Sequence, residues 1–77
     1  MTVIAYILVK ANTSEADRVK TEMEALDGVL LANIVAGDID FITKISVETP
    51  AEVKDIVASG IQTISGVEDT QTYIAMD

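Results

Sequence analysis

The sequence predicts an α+β protein of order βαββαβ, a four-stranded antiparallel sheet with both helices on one face. Three observations carry that prediction. Apolar, β-branched runs recur at residues 3–9, 29–36 and 39–47, and a run rich in Thr, Val, Tyr and Ile occupies 67–76. Two stretches between them show helical spacing. The chain also repeats faintly at an offset of 38 residues, pairing Ile4 with Ile42, Ile7 with Ile45, Val9 with Val47, Asp17 with Asp55, Val19 with Val57, Gly28 with Gly66 and Val29 with Val67. Each half is then one βαβ unit, and two such units with split pairing give the ferredoxin-like plan, strand order 4-1-3-2.

Taken in order, residues 3–9 form an almost unbroken aliphatic run, the pattern of a central strand covered on both faces. Ser14 and Asp17 make a capping pair ahead of Ala16, Val19, Met23 and Leu26, whose spacing of three, four and three marks one helical face. Arg18, Lys20, Glu22 and Glu24 take the wet side. Gly28 ends that helix, and 29–36 is a second apolar strand interrupted only by Asn33. Gly37 and Asp38 suit a two-residue type II′ turn into a third strand over 39–47, paired antiparallel with the second. Thr49, Pro50 and Glu52 supply an N-cap, a proline at the first helical position and a capping-box glutamate. Val53, Ile56, Val57 and Ile61 follow on one face, and Gly66 opens the last strand.

Size and composition bound the function. A chain of 77 residues is one domain, and one so short hides only about 60% of its unfolded surface on folding. Yet 49% of it is hydrophobic, so a second subunit is expected to cover part of that surface, most economically sheet to sheet. With no Cys and no His, disulfides, thiolate nucleophiles, zinc sites of the usual kind and imidazole proton shuttles are all excluded. A net charge of −8, thirteen carboxylates against five basic residues, repels a phosphate backbone and argues against direct contact with nucleic acid. No apolar run reaches membrane-spanning length and no Arg-rich presequence stands at the start, which points to a cytoplasmic protein. No cofactor is expected.

The candidate binding residues cluster at two places. Asp38 and Asp40 flank Ile39 just after Gly37, so two carboxylates and free backbone groups gather at one hairpin end. Gly and Asp are also what a tight turn requires by itself. The binding reading is that these groups hold the ammonium and carboxylate of a small zwitterion. A divalent metal fits worse, because hard cations want six or more oxygens and the two aspartates alternate between strand faces. Thr70 and Thr72 share one face of the last strand, where β-propensity alone would also put them. Lys10 and Lys44 carry no sign of Schiff-base chemistry.

The segments 35–42 and 66–74 resemble the effector-binding domain of the leucine-responsive regulator/AsnC family, called RAM for regulation of amino-acid metabolism. That family shows roughly Gly, any residue, Tyr, Asp and an aromatic or aliphatic residue after its second strand. Here Gly37, Asp40 and Phe41 fit, while Ile39 stands where tyrosine is frequent. Its last strand has Val followed by two threonines two apart, matched by Val67, Thr70, Thr72 and Ile74. The resemblance covers essentially the whole chain without the N-terminal helix-turn-helix of full-length members, which makes it look like a stand-alone RAM domain over 1–77. It implies a non-enzymatic, amino-acid-sensing and oligomerising domain, dimeric through its sheets, that modulates transcription through full-length Lrp/AsnC regulators. It implies a ligand region of Gly37, Asp38 and Asp40 with Thr70 and Thr72, and no metal. Small cofactor-free dimeric α+β-barrel enzymes, monooxygenases or isomerases, share the architecture but usually rely on His, Trp, Tyr or Asn in a large cavity. An amino-acid sensor of the ACT type would carry a glycine after its first strand, where this chain has Lys10, Ala11, Asn12 and Thr13.

Overall fold

The computed structural model describes residues 2–77. Its elements are β1 (Val3–Ala11), α1 (Ala16–Glu24), β2 (Val29–Ile34), β3 (Phe41–Val47), α2 (Pro50–Ser59), a short 3₁₀ turn (Ile61–Thr63) and β4 (Val67–Ile74). The sheet order is β2-β3-β1-β4, antiparallel throughout, which is the predicted order read from the other edge. β1 lies centrally because its run is the most continuously apolar. Its odd residues Val3, Ala5, Ile7 and Val9 are buried beneath the helices, whereas Ile4 and Leu8 are half-buried and Tyr6 and Lys10 exposed on the other side. Within one chain the sheet is therefore covered on one face only.

The core lies between that covered face and the helices. Phe41, Thr43 and Ile45 of β3 and Ala32 of β2 join the odd residues of β1, packed with Val19 and Met23 from α1, Val53 and Val57 from α2, and Ile61 and Ile64. Each large aliphatic side chain so buried contributes roughly 1.5–3 kcal/mol. The buried Thr43 hydroxyl donates to Met23 Sδ at 3.4 Å, and among the described residues no buried side-chain polar atom lacks a partner.

Local chemistry sets the helix starts. Thr49 Oγ1 accepts from the Glu52 N–H at 3.4 Å, the N-cap expected, whereas Glu52 Oε2 accepts from the Glu48 N–H at 2.8 Å, one residue before the N-cap, in place of the reciprocal capping-box bond. α1 differs from the expectation. Its N-cap is Glu15 with no side-chain cap, and Thr13 Oγ1 takes the Glu15 N–H at 2.9 Å instead of Ser14 or Asp17 serving. The repeated Gly-Val pair has a common cause: Gly28 and Gly66 each precede a strand at φ +92° and +101°, a region costly for residues with a Cβ.

The β2–β3 connection also departs from the two-residue turn. Pairing ends with Ile34 opposite Phe41, and the Val35 N–H donates to the Asp40 carbonyl at 2.9 Å, which leaves residues 36–39 as a four-residue loop. The Asp40 N–H crosses to the Val9 carbonyl at 3.0 Å. That third-strand contact fixes the register, and Gly37 and Asp38 become the loop's tip. β4 is shorter than expected, ending at Ile74, although the Ala75 N–H still donates to Ile4 at 2.8 Å.

The exposed face of α1 carries ion pairs. Arg18 pairs with Glu15 and Glu22 and donates to the Ser65 carbonyl, tying α1 to the approach to β4. Lys20 pairs with Glu24 at 2.6 Å. The Lys20 hydrogen bond, helped by the Ala32 N–H and opposed by partial desolvation, holds the Glu24 carboxyl below its ordinary value of 4.5. A folded-state value below the unfolded one contributes stability that is present above the unfolded value and lost as pH falls through the folded one. A carboxyl NMR titration should therefore give Glu24 a midpoint below 4.5; a midpoint at or above it would remove the interaction.

Candidate functional site

The hairpin end is built by three strands. Asp40 immediately precedes β3, its backbone bridges β2 and β1, and its Oδ2 accepts from the Ala11 N–H at 2.8 Å. Ala11 lies past the last β1–β3 pair, Val9 with Phe41, so its amide on that side has no ladder partner and the carboxylate serves instead. Asp40 is half-buried and Asp38 exposed. Among the described residues, neither takes part in an ion pair. A Cβ placed on Gly37 would meet nothing within 4 Å, so the loop tip stands in open space, accessible to another molecule.

Behind the hairpin lies a cavity of about 70 Å³ lined by Ala11, Thr13, Ala16, Ile34, Val35, Asp40 and Phe41. It is far smaller than the roughly 300–1,000 Å³ of pockets that enclose a drug-sized ligand. One protomer thus offers a carboxylate and a shallow recess, not an enclosure. Thr13 and Ala11 belong to this recess although only the hairpin stood out in the sequence. Their signal was positional: the β1–α1 connection must emerge at the sheet end where the β2–β3 hairpin turns.

Thr70 and Thr72 lie elsewhere. They pair with Val9 and Ile7 of β1, whose buried side chains put this face of β4 on the helix side. Thr70 Oγ1 accepts from Gln62 Nε2 at 2.9 Å. Thr72 lines a groove of about 340 Å³ with Pro50, Val53, Lys54, Val57, Ala58, Gln62 and Ile74. β1 stands between the threonines and the hairpin, two strand spacings of about 4.8 Å each, so the structure does not gather all five residues into one pocket within a protomer. The cavity of about 360 Å³ lined by Asp27, Glu48, Glu52 and Asp55 among others opens beside Ser46 and Val47, at the far end of β3 from Phe41. Among the described residues no acidic group is arranged to hold a metal ion.

The sequence profile described as the Lrp/AsnC ligand binding domain matches residues 4–77. The chain belongs to this family. The leucine-responsive regulatory protein of Haemophilus influenzae is 25% identical over 77 residues, which are 100% of this chain and 46% of that protein; the chain spans about half the length of this curated relative. In fold, the Lrp/AsnC ligand-binding domain seen here is similar to TTHA0845 from Thermus thermophilus (TM-score 0.91, 24% identity, 97% of this chain and 94% of that one). It is also similar to a transcriptional regulator of Neisseria meningitidis solved as its L-Met complex (TM-score 0.83, 17% identity, 97% and 50%). The ferredoxin-like reading is the fold of this Lrp/AsnC domain. Among its described residues, no helix is long and apolar enough to cross a membrane.

Proposed function

We propose that these residues form a non-enzymatic amino-acid-sensing and oligomerisation module that takes its ligand at the hairpin end and modulates transcription through full-length Lrp/AsnC regulators. The observation that carries this reading is the pair of aspartates. Among the described residues Asp38 makes no ion pair, and Asp40 has given one oxygen to Ala11, leaving carboxylate oxygens for an ammonium group beside a recess too small to enclose a ligand alone. A second protomer would complete the enclosure and bring Thr70 or Thr72 of one copy toward the hairpin of another. The amino-acid class draws support from the L-Met complex of a protein of the same fold. The net charge of −8 supports leaving DNA contact to partner chains, and a sequence without His or Trp lacks two of the four residue types on which α+β-barrel enzymes usually rely. The open sheet face, with Ile4, Tyr6, Leu8, Ile42 and Tyr73, supports a sheet-to-sheet homodimer.

The test begins with thermal shifts against the twenty amino acids with mass measured in parallel, since a ligand specific to the native state raises its melting temperature by mass action. Calorimetric titration of the selected amino acid is then repeated on two variants. Asp40→Ala should weaken binding by about ten- to a hundredfold, the worth of a charge-assisted hydrogen bond of about 1.5–3 kcal/mol. It should also lower stability, because Ala11 loses its acceptor. Asp40→Asn keeps a carbonyl for the Ala11 N–H and drops the charge, so it should lose affinity at nearly unchanged melting temperature. Unaltered affinity in Asp40→Asn would reduce Asp40 to a strand-end clasp. Absence of any amino-acid binding in the wild type would favour a pure assembly partner.

A further inference from the structure

The sheet has four strands and two helices to cover them. α1 lies against β2, α2 packs on β1 and β3, and the 3₁₀ turn meets the first half of β4, where Gln62 Nε2 donates to Thr70 Oγ1 at 2.9 Å. The second half of β4 is left over. Thr72 and Ile74 point to the helix side, opposite the buried Ile7 and Ala5 of β1, yet are themselves exposed. The space between them and α2 is the groove of about 340 Å³, within the size range of small-molecule sites. Val53, Val57 and Ile74 give it an apolar wall, and Lys54, Gln62 and Thr72 supply its polar groups. The Gln62 amide has one hydrogen committed to Thr70 and a second to offer. Among the described residues no carboxylate lines the groove.

Lys54 sets this groove apart from the rest of the surface. Of the chain's five basic residues, Arg18 and Lys20 pair with glutamates. Lys44 Nζ stands 5.8 Å from the centre of the Tyr6 ring, and Lys10 lies opposite Asp69 in the β1–β4 register. Among the described residues Lys54 makes no ion pair. One turn of α2 to either side of it brings Pro50, Ala51, Val57 and Ala58, none of them acidic, in a chain that holds thirteen carboxylates. On a protein of net charge −8, an uncompensated ammonium at the rim of an apolar groove attracts what most of the surface repels, a small anion with a hydrocarbon tail.

We propose that the groove between α2 and β4 binds an aliphatic monocarboxylate, its carboxylate on Lys54 and its tail along Val53, Val57 and Ile74. The ligand class differs from that of the hairpin end. There Asp38 and Asp40 can receive an ammonium; in the groove no acidic group can, so an amino acid of the same skeleton is the poorer ligand. The groove is complete within one protomer, and β1 stands between Thr72 and the hairpin, so this inference does not rest on the hairpin reading.

The test follows backbone amide NMR shifts while the protein is titrated with hexanoate, with norleucine, which is hexanoate bearing an ammonium, and with hexylamine. Hexanoate should move the amides of Val53, Val57, Thr72 and Ile74 with a dissociation constant on the order of a millimolar. Butanoate should bind more weakly by roughly two- to fourfold per methylene removed. Norleucine and hexylamine should be weaker than hexanoate at these amides by at least about threefold. Lys54→Gln, which keeps a helix-forming side chain, should weaken hexanoate by about two- to fivefold. Ala58→Phe, which fills the groove from an exposed position, should abolish the shifts with far-UV dichroism unchanged. Hexanoate shifts that are absent or confined to other surfaces would overturn the proposal. So would norleucine or hexylamine moving the groove amides with the affinity of hexanoate, or an unaltered response in Lys54→Gln. If Ala58→Phe does not fold, Lys54→Gln and the ligand series decide.

Discussion

Leu8→Asp is expected to convert the protein to monomers at concentrations where the wild type self-associates. Leu8 occupies the middle of the open face, opposite Ile42 on β3 and Gln71 on β4, and is half-buried before any partner covers it. In the proposed sheet-to-sheet dimer the same patch meets itself across a two-fold axis, so each interface would receive two carboxylates with no partner. An uncompensated buried charge costs about 3–5 kcal/mol, which weakens self-association by roughly a hundred- to several-thousandfold. The side chain points away from the core, so the protomer should still fold. Lys10→Ala, on the same face near its rim, should change the association constant little. Sedimentation equilibrium across the micromolar range measures both, and a Leu8→Asp protein with the wild-type mass would remove the open face from the assembly.

Phe41→Ala should cost the fold about 3–5 kcal/mol. Phe41 heads the fully buried side chains by volume, at 1% exposure, and its backbone is paired on both sides, with Val9 and with Ile34. Its ring also walls the recess beside Asp40, so its loss empties the core where the hairpin is anchored. For a domain of this size each kcal/mol moves the melting temperature by about 4–8 °C, so the expected fall is on the order of 12–40 °C. Phe41→Leu, which keeps most of the volume, should cost under about 1.5 kcal/mol. Thermal melts of both variants check this, and a fall of only a few degrees in Phe41→Ala would mean that the recess collapses onto the vacancy. A ligand at the hairpin should partly restore Phe41→Ala, since binding and anchoring act on the same loop.

The elements legible in the sequence are those whose causes are local. Thr49, Pro50 and Glu52 specify the start of α2 through groups within four residues of one another, and the Thr49 cap forms as read, with Glu52 reaching back to Glu48. The unbroken apolar run of β1 names the central strand, and the repeated Gly28 and Gly66 mark the two places where a helix hands over to a strand at positive φ. The residue types of the hairpin site, and the family they resemble, were legible for the same reason. Gly37, Asp38 and Asp40 lie close together in the chain.

Contacts between distant segments were decided by the tertiary structure alone. The β2–β3 loop has four residues because Asp40 is held by Val9 and Ala11 of a strand some thirty residues earlier, a pull that no turn preference encodes. Thr70 and Thr72 stand apart from the hairpin because strand order inserts β1 between them, and spacing along one strand says nothing about its neighbours. Lys20 and Glu24 read as an ordinary solvated helix face until α1 is laid beside β2 and their charges meet the backbone of Ala32. Short-range chemistry and hydrophobic periodicity thus determined the elements and their order, whereas the placement of charges against backbone depended on packing, because an electrostatic partner is chosen by distance in space and not along the chain.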